Sequence, residues 1–193
     1  MDERLPNPDS ELVDAVLRGA PGAFERLVRD YQGLCWHIVY RMVRHPEDAR
    51  ELCQETFLRV HQCLHQYRHE SALKSWIGQV AYSIALRHLQ RKRIPLYEPA
   101  GDEDMPSPLE NLGDDFDLEQ AFGDAQVARR LHDAIDALPP VQRAVLTLYH
   151  LEEASIPEIA TITGMASGTI KSHLFRARLR LRAVLEGRLG VAV

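Results

Sequence analysis

An all-α chain of two helical domains joined by an acidic flexible linker is predicted by three features of the sequence. Apolar residues recur at steps of three and four, the period of a helix face, and no stretch alternates as a strand would. Residues 95–124 break that pattern with Pro95, Pro99, Pro106 and Pro108 and with ten acids (Glu98, Asp102, Glu103, Asp104, Glu110, Asp114, Asp115, Asp117, Glu119, Asp124) but no Lys or Arg. Near the C-terminus, a helix-start signature and a glycine stop are followed within a few residues by a second amphipathic helix. Domains are therefore expected at 10–94 and 125–187, with the linker at 95–124.

Composition narrows the class. Net charge is −5 over 193 residues, yet ten of the 28 acidic residues sit in the linker, so 23 basic residues stand against 18 acidic ones elsewhere. Apart from its linker the chain is thus basic, which suits an anionic partner. No apolar run approaches the 18 residues of a membrane span, and the opening Met1-Asp2-Glu3-Arg4-Leu5-Pro6-Asn7-Pro8 has no signal-peptide core, so a cytoplasmic protein without membrane insertion is expected. Cys35, Cys53 and Cys63 are odd in number and form no C-x-x-C pair, which speaks against a disulfide framework or a zinc knuckle.

In the first domain, the spacing predicts a helix from about Pro46 to Gln66 that buries Ala49, Leu52, Cys53, Thr56, Val60 and Leu64. Opposite them fall Glu51, Gln54, Glu55 and Leu58, three polar groups around one leucine, which reads as a docking surface. The next helix, about Ser71 to Lys92, buries Leu73, Ile77, Val80 and Ile84 and ends in Arg87-His88-Leu89-Gln90-Arg91-Lys92-Arg93. A basic helix end by itself complements the helix dipole. Upstream of it, however, Ser75, Gln79, Tyr82 and Ser83 are expected on the exposed side, and hydrogen-bonding and aromatic groups beside cations suit single-stranded bases.

In the second domain, Ser155 and Glu158 form a capping box with Pro157 in the first turn, and Gly164 ends that helix. A restart near Ser167 or Gly168 leaves the short connection of a helix-turn-helix. Ile170, Leu174, Ala177 and Leu181 make the buried face of the second helix. Lys171, Ser172, Phe175 and Arg176 then lie where a recognition helix reaches base edges, and Arg178, Arg180 and Arg182 where cations reach phosphates.

Two other readings compete. A one-component helix-turn-helix regulator would bind DNA alone, but no effector or dimerisation domain is visible and the Glu51/Gln54/Glu55 face would have no use. His61, His65 and His69 are spaced by four and would stack on a continuous helix, with Cys63 nearby, as a metal site could. No carboxylate joins them in H-E-x-x-H order. No Gly-rich phosphate loop and no catalytic Ser/His/Asp or Cys/His arrangement can be placed, so neither a cofactor nor an enzymatic activity is expected.

Five blocks in order, Phe24-Glu25-Arg26-Leu27-Val28-Arg29-Asp30-Tyr31, Glu51-Leu52-Cys53-Gln54-Glu55-Thr56-Phe57-Leu58, Leu73-Lys74-Ser75-Trp76-Ile77, Ala137-Leu138-Pro139-Pro140-Val141-Gln142-Arg143 and Gly168-Thr169-Ile170-Lys171-Ser172, resemble an extracytoplasmic-function (ECF) sigma factor of the sigma-70 family over about residues 12–186. The resemblance implies a region 2-like domain that binds the clamp helices of the largest RNA polymerase subunit and the −10 element. It implies a region 4-like domain that binds the β flap and the −35 element, and a cognate anti-sigma factor as a further partner. Carried onto this sequence, Glu51, Gln54, Glu55 and Leu58 would hold core polymerase; Ser75, Gln79, Tyr82, Ser83, Arg87 and Arg91 would face −10 DNA; Lys171, Ser172, Phe175, Arg176, Arg178 and Arg182 would face −35 DNA. Three positions depart from the family pattern: Ser83 where several members have Asn, His69-Glu70-Ser71-Ala72 in place of a glycine-bearing loop, and Ala166 in place of a common Pro. The linker would be either a solvated tether or an acidic strand in the polymerase's RNA channel.

Overall fold

Pro46, Pro140 and Pro157 each open a helix, at the one place where a missing N–H costs nothing. The computed structural model describes residues 8–97 and 125–189, and the described residues hold eight α-helices, one 3-10 turn and no strand. The chain runs α1 (Pro8–Leu17), α2 (Ala23–Val43), α3 (Pro46–Cys63), the turn Leu64–Gln66, α4 (Leu73–Arg91), then α5 (Ala125–Asp136), α6 (Pro140–His150), α7 (Ile156–Thr163) and α8 (Ser167–Leu189). The linker expected at 95–124 lies outside the described residues from position 98 onward.

Helix ends follow local chemistry. α2 stops where Arg44 turns left-handed at φ 60° and donates its N–H to the Tyr40 carbonyl. One residue later the His45 ring accepts the Asp48 N–H at 3.4 Å and caps α3. The helix expected as one piece from Pro46 to Gln66 is α3 plus a tighter final turn. That turn, and a left-handed His69 at φ 58°, take His65 and His69 off the face of His61, which packs edge-on against Phe24. No group of three or more His, Cys, Asp or Glu residues is placed to hold a metal among the described residues.

α2, α3 and α4 pack against one another through Leu27, Ile38 and Met42, Ala49, Leu52 and Val60, and Leu73, Ile77 and Leu89, all of them buried. Burying each large aliphatic side chain contributes about 1.5–3 kcal/mol. The second half builds a smaller core from Leu131, Val141, Val145, Leu148, Ile159, Ile162, Ile170, Leu174 and Leu181. The two cores join into one continuous cluster, because α6 packs on α2 and α7 packs on α4.

α6 shows what that joining involves. Every residue from Pro140 to Leu148 is buried, including the polar Gln142, Arg143 and Thr147, because α8 covers one side and α2 the other. Arg143 donates through Nε to the Arg41 carbonyl at 2.6 Å and through Nη2 to the Met42 carbonyl at 3.1 Å, both in the last turn of α2. Its Nη1 meets the Asp136 carbonyl at 3.1 Å and also the Leu138 carbonyl, in the turn after α5. Burial, and then the nearby Arg44, pull Arg143 down to about 10, so it stays charged at neutral pH. Arg44 adds 2.6 Å and 2.7 Å contacts to the Asp136 carboxylate and carbonyl.

A second polar contact lies between the turn after α6 and the first half. Glu152 accepts from His37 Nδ1 at 2.6 Å and lies 3.1 Å from Lys74 Nζ, which also donates to the Glu152 carbonyl at 2.9 Å. Beside it, a Cβ added at Gly78 of α4 would come within 3.1 Å of Ile162 on α7, so the helices meet at a glycine. Burial alone would push the Glu152 carboxyl up; the hydrogen bonds from His37 and Lys74 outweigh it and hold it below the usual carboxylate range.

Because the packed value is below the free one, Glu152 stabilises the closed arrangement above the ordinary glutamate pKa of 4.5, and that contribution is lost as pH falls through the depressed value. Glu152→Gln replaces charge-assisted contacts by neutral ones and should weaken closure by about 1 kcal/mol, discounted because Lys74 and His37 are partly solvated. In small-angle scattering, the variant should be the more extended at neutral pH. It should also lack the expansion expected of wild type as pH falls below 4.5 and through the depressed Glu152 value.

Candidate nucleic-acid interface

The C-terminal helix pair has the expected local construction. The Ser155 Oγ accepts the Glu158 N–H at 3.4 Å, and the Glu158 carboxylate accepts from the Ser155 N–H at 2.8 Å and from its hydroxyl at 2.6 Å. α7 then ends at Gly164, φ 74°, and α8 starts at Ser167 after a three-residue connection. Ile170, Leu174, Ala177 and Leu181 are buried. Lys171 and Arg176 are exposed, while Ser172 and Phe175 are half-buried beside them, so these four side chains share an accessible edge near the start of α8. Ser172 Oγ donates back to the Gly168 carbonyl at 3.0 Å, which leaves its lone pairs free to accept.

Further along α8 the cations differ. Arg178 is half-buried, its guanidinium 5.3 Å from the Tyr149 ring centroid and its Nη2 3.4 Å from His150 Nε2, so it braces α8 against α6. Arg182 is exposed, and Arg180 is half-buried, with burial lowering its pKa. His173, between Ser172 and Phe175, is buried against the chain; burial and then Arg176 hold it below the usual histidine range. Tyr97 stacks on it at 5.8 Å, placing the segment after α4 against α8.

α4 corrects one expectation. Ser75 and Tyr82 were expected on the exposed side, but they are only 2% and 3% exposed. Ser75 faces the cleft formed with Leu148, Glu152, Glu158 and Ile162, under α7. Burial, with Tyr97 nearby, pushes the Tyr82 phenol up. The periodicity marks the face that α2 covers; it carries no trace of a second helix arriving from the other half of the chain. What remains open is Gln79, Ser83, Arg87 and Arg91, four exposed residues at steps of four that make one polar, cationic stripe along α4. Lys92, next in line, is held 2.5 Å from Asp48 and is not part of it.

On α3, Glu51, Gln54, Glu55 and Leu58 are all exposed on one face, and Leu58 is 64% exposed. Behind them Ala49, Leu52, Thr56, Phe57 and Val60 are buried, and the Thr56 hydroxyl donates to the Leu52 carbonyl at 2.7 Å. Cys53 is half-buried rather than part of the inner stripe. The quartet is therefore backed by a buried core and open to solvent.

The contacts absent from the sequence reading are those between the halves: His37, Lys74 and Glu152, and Arg44 with Asp136. One signal was present. Gly78 stands inside an otherwise continuous helical pattern, where a glycine costs about 1 kcal/mol unless something approaches it closely.

Comparison with known proteins completes the description. Residues 27–94 match the Sigma-70 region 2 family and residues 128–181 match Sigma-70, region 4. The chain is 31% identical over 181 residues to the RNA polymerase sigma-H factor of Pseudomonas aeruginosa, covering 92% of this chain and 94% of that one. It is 31% identical over 176 residues to the ECF RNA polymerase sigma-E factor of Haemophilus influenzae, covering 88% and 91%. Its fold is similar, with a TM-score of 0.57 and 23% identity over 86% of this chain and 98% of the other, to the sigma factor RpoE solved in complex with the anti-sigma factor NepR from Bartonella quintana. Two helical sigma regions in the expected order, with relatives matched over nearly their whole length, make this chain an RNA polymerase sigma factor of the ECF group of the sigma-70 family.

Proposed function

We propose that this sigma factor works by being opened. Core polymerase takes hold of the Glu51/Gln54/Glu55/Leu58 face, and the two DNA-reading surfaces, the α4 stripe and the start of α8, separate onto the −10 and −35 elements. The observation that carries this reading is the direct contact of α4 with α7, the first helix of the reading pair. Elements centred about 25 base pairs apart lie roughly 85 Å apart along duplex DNA, at about 3.4 Å per pair. Two surfaces on touching helices cannot span that distance, so the closed chain reads at most one element at a time. An anti-sigma factor, the partner with which the Bartonella quintana protein was solved, would act by holding such a closed form. On this reading the chain catalyses no reaction itself and works in the cytoplasm, where the polymerase is; among the described residues no helix is long and apolar enough to cross a membrane.

Within each surface the roles divide by position. Lys171, Ser172, Phe175 and Arg176 read −35 bases, while Arg182 meets phosphate. Gln79, Ser83, Arg87 and Arg91 contact the −10 strand; Ser75 and Tyr82 join them only where α7 has left α4. Arg178 reaches DNA only by leaving Tyr149. A gel shift separates this reading from a stand-alone regulator: the free chain should leave promoter DNA unshifted, and core polymerase plus chain should shift it. A specific shift by the free chain would overturn it.

Glu55→Lys places a cation in the proposed polymerase face without touching the core, so stability should change by less than about 0.5 kcal/mol. Pull-down on core enzyme should nonetheless fall by about tenfold or more, equivalent to about 1.4 kcal/mol. Folded variant protein that binds like wild type would remove that face from the interface.

For the reading helix, Arg176→Ala should cost about 1–3 kcal/mol and relax preference at one −35 position. Arg182→Ala should instead weaken every promoter alike and reduce the salt slope by about one. Transcription from a library of −35 variants distinguishes the two patterns; a uniform loss for Arg176→Ala would reassign that residue to phosphate.

A further inference from the structure

α4 does not run straight out into the inter-region segment. Its last turn closes with two hydrogen bonds, Arg93 N–H to the Gln90 carbonyl and Ile94 N–H to the Leu89 carbonyl, both 3.0 Å, around a left-handed Arg93 at φ 55°. This stop turns the chain away from the helix axis, and Pro95 cannot continue the helix. Leu96 is then half-buried against the common core. Next to it, the Tyr97 ring lies 5.8 Å from the His173 ring with the two planes 19° apart, a stacked pair.

These few residues tie together helices that otherwise meet through others. α8 packs chiefly on α5, α6 and α7. Tyr97 stands close enough to Tyr82 of α4 to add to the rise of its phenol, and it stacks on His173 of α8, so one ring links the two DNA-facing helices. His173 is 8% exposed, and its Nδ1 has no hydrogen-bond partner among the described residues. A buried nitrogen left unmet favours the state in which water reaches it, which keeps the stack reversible.

The position of the stack matters for DNA. His173 and Arg176 are three residues apart and share one side of α8. A helix with its side chains is about 10–12 Å across and the major groove about 12 Å wide, so a seated helix leaves no space for a further aromatic ring on its flank. Tyr97, itself 52% exposed, adds such a ring.

We propose that residues 94–97 are an intramolecular latch: Tyr97, stacked on His173, holds α8 beside α4 in the closed chain and lifts away before α8 seats in a DNA groove. The occlusion of DNA rests on the proposed role of α8 as the −35 reader; the latch itself does not. Its release uncovers His173, clears the Arg176 side of the helix and removes one of the ties between the regions.

The test uses the full chain and the variants Tyr97→Ala and Tyr97→Phe, with circular dichroism confirming that both keep their helices. Diethyl pyrocarbonate acylates accessible neutral imidazoles. Peptide mass spectrometry should find His173 modified about fivefold faster in Tyr97→Ala than in wild type, whereas Tyr97→Phe keeps the ring and should match wild type. In small-angle scattering Tyr97→Ala should be more extended than wild type. By fluorescence anisotropy it should also bind a duplex carrying the −35 variant best transcribed by the holoenzyme about fivefold more tightly, as the open fraction rises. Unchanged His173 reactivity would mean that the stack does not form in solution, and the proposal fails. Faster reactivity in a chain of wild-type dimensions would make Tyr97 a cover and not a latch, which also overturns it. An opened Tyr97→Ala chain with wild-type duplex affinity would overturn the occlusion of DNA. If that variant opens and binds more tightly, but adding Arg176→Ala leaves its duplex binding intact, the assignment of α8 as the reader fails and the latch stands.

Discussion

A single guanidinium organises this chain. Arg143 donates to the Arg41 and Met42 carbonyls at the end of α2 and to the Asp136 and Leu138 carbonyls after α5. Helix C-termini present carbonyls with no partner in their own helix, and the dipole there favours a cation. One side chain thus satisfies two such ends at once, one from each sigma region. Without it, carbonyls from both ends would lose their donor where α6 has displaced water, at about 1–3 kcal/mol for each buried polar group left unmade. The burial of α6 from Pro140 to Leu148 follows in part from the same contact, because α2 covers the side that bears Arg143.

That contact sets polar groups beside the apolar surface where the two cores join, and the polar part separates it from the packing inside each core. Within region 2, α2, α3 and α4 share large aliphatic side chains that are never solvated while the domain is folded. Between the regions the fixed points are Arg143, the Arg44–Asp136 pair and the Glu152 cluster, with the Gly78–Ile162 approach as the main apolar addition. Every one of those polar groups can be met by water if the halves part, and Gln142 Oε1 has no protein partner even when they are together. Parting the halves trades these protein hydrogen bonds for solvent ones, while the apolar surface where the cores join favours the closed form. Apparent affinity for a partner that needs the open form is then reduced by the fraction that is open.

Much of this was legible from residue order, and the division between what was and was not has a physical basis. The capping box at Ser155, the stop at Gly164 and the inner stripe Ile170, Leu174, Ala177 and Leu181 are local, set by bonds within a few residues or by helix period. The exposure of Glu51, Gln54, Glu55 and Leu58 was legible for the same reason, since α3 meets neighbours on one side only. Ser75 and Tyr82 were misplaced because α4 has two covered faces and its period reports one. The second face is recorded in Gly78 alone, and a glycine says that something comes close without saying what. Glu152, His37 and Lys74 are more than seventy residues apart in the pairs they form, and nothing in their spacing ties them together.

α2 is where these threads meet, and its geometry keeps them apart. Cys35 and His37 are two residues apart on a helix, so they point about 160° apart, Cys35 toward α3 and His37 toward Glu152. One face of α2 therefore backs the α3 surface, the opposite face holds the C-terminal region, and the helix end receives Arg143. A change on the α3 side removes none of the polar contacts that close the two regions. A change at Glu152 releases the C-terminal region without touching the α3 core. Energetic effects at sites with no shared partner add, so the two perturbations should combine independently in this chain. Coupling between them would have to pass through movement of α2 as a rigid body. The anchoring of its last turn by Arg143 opposes that movement for as long as the two regions stay together.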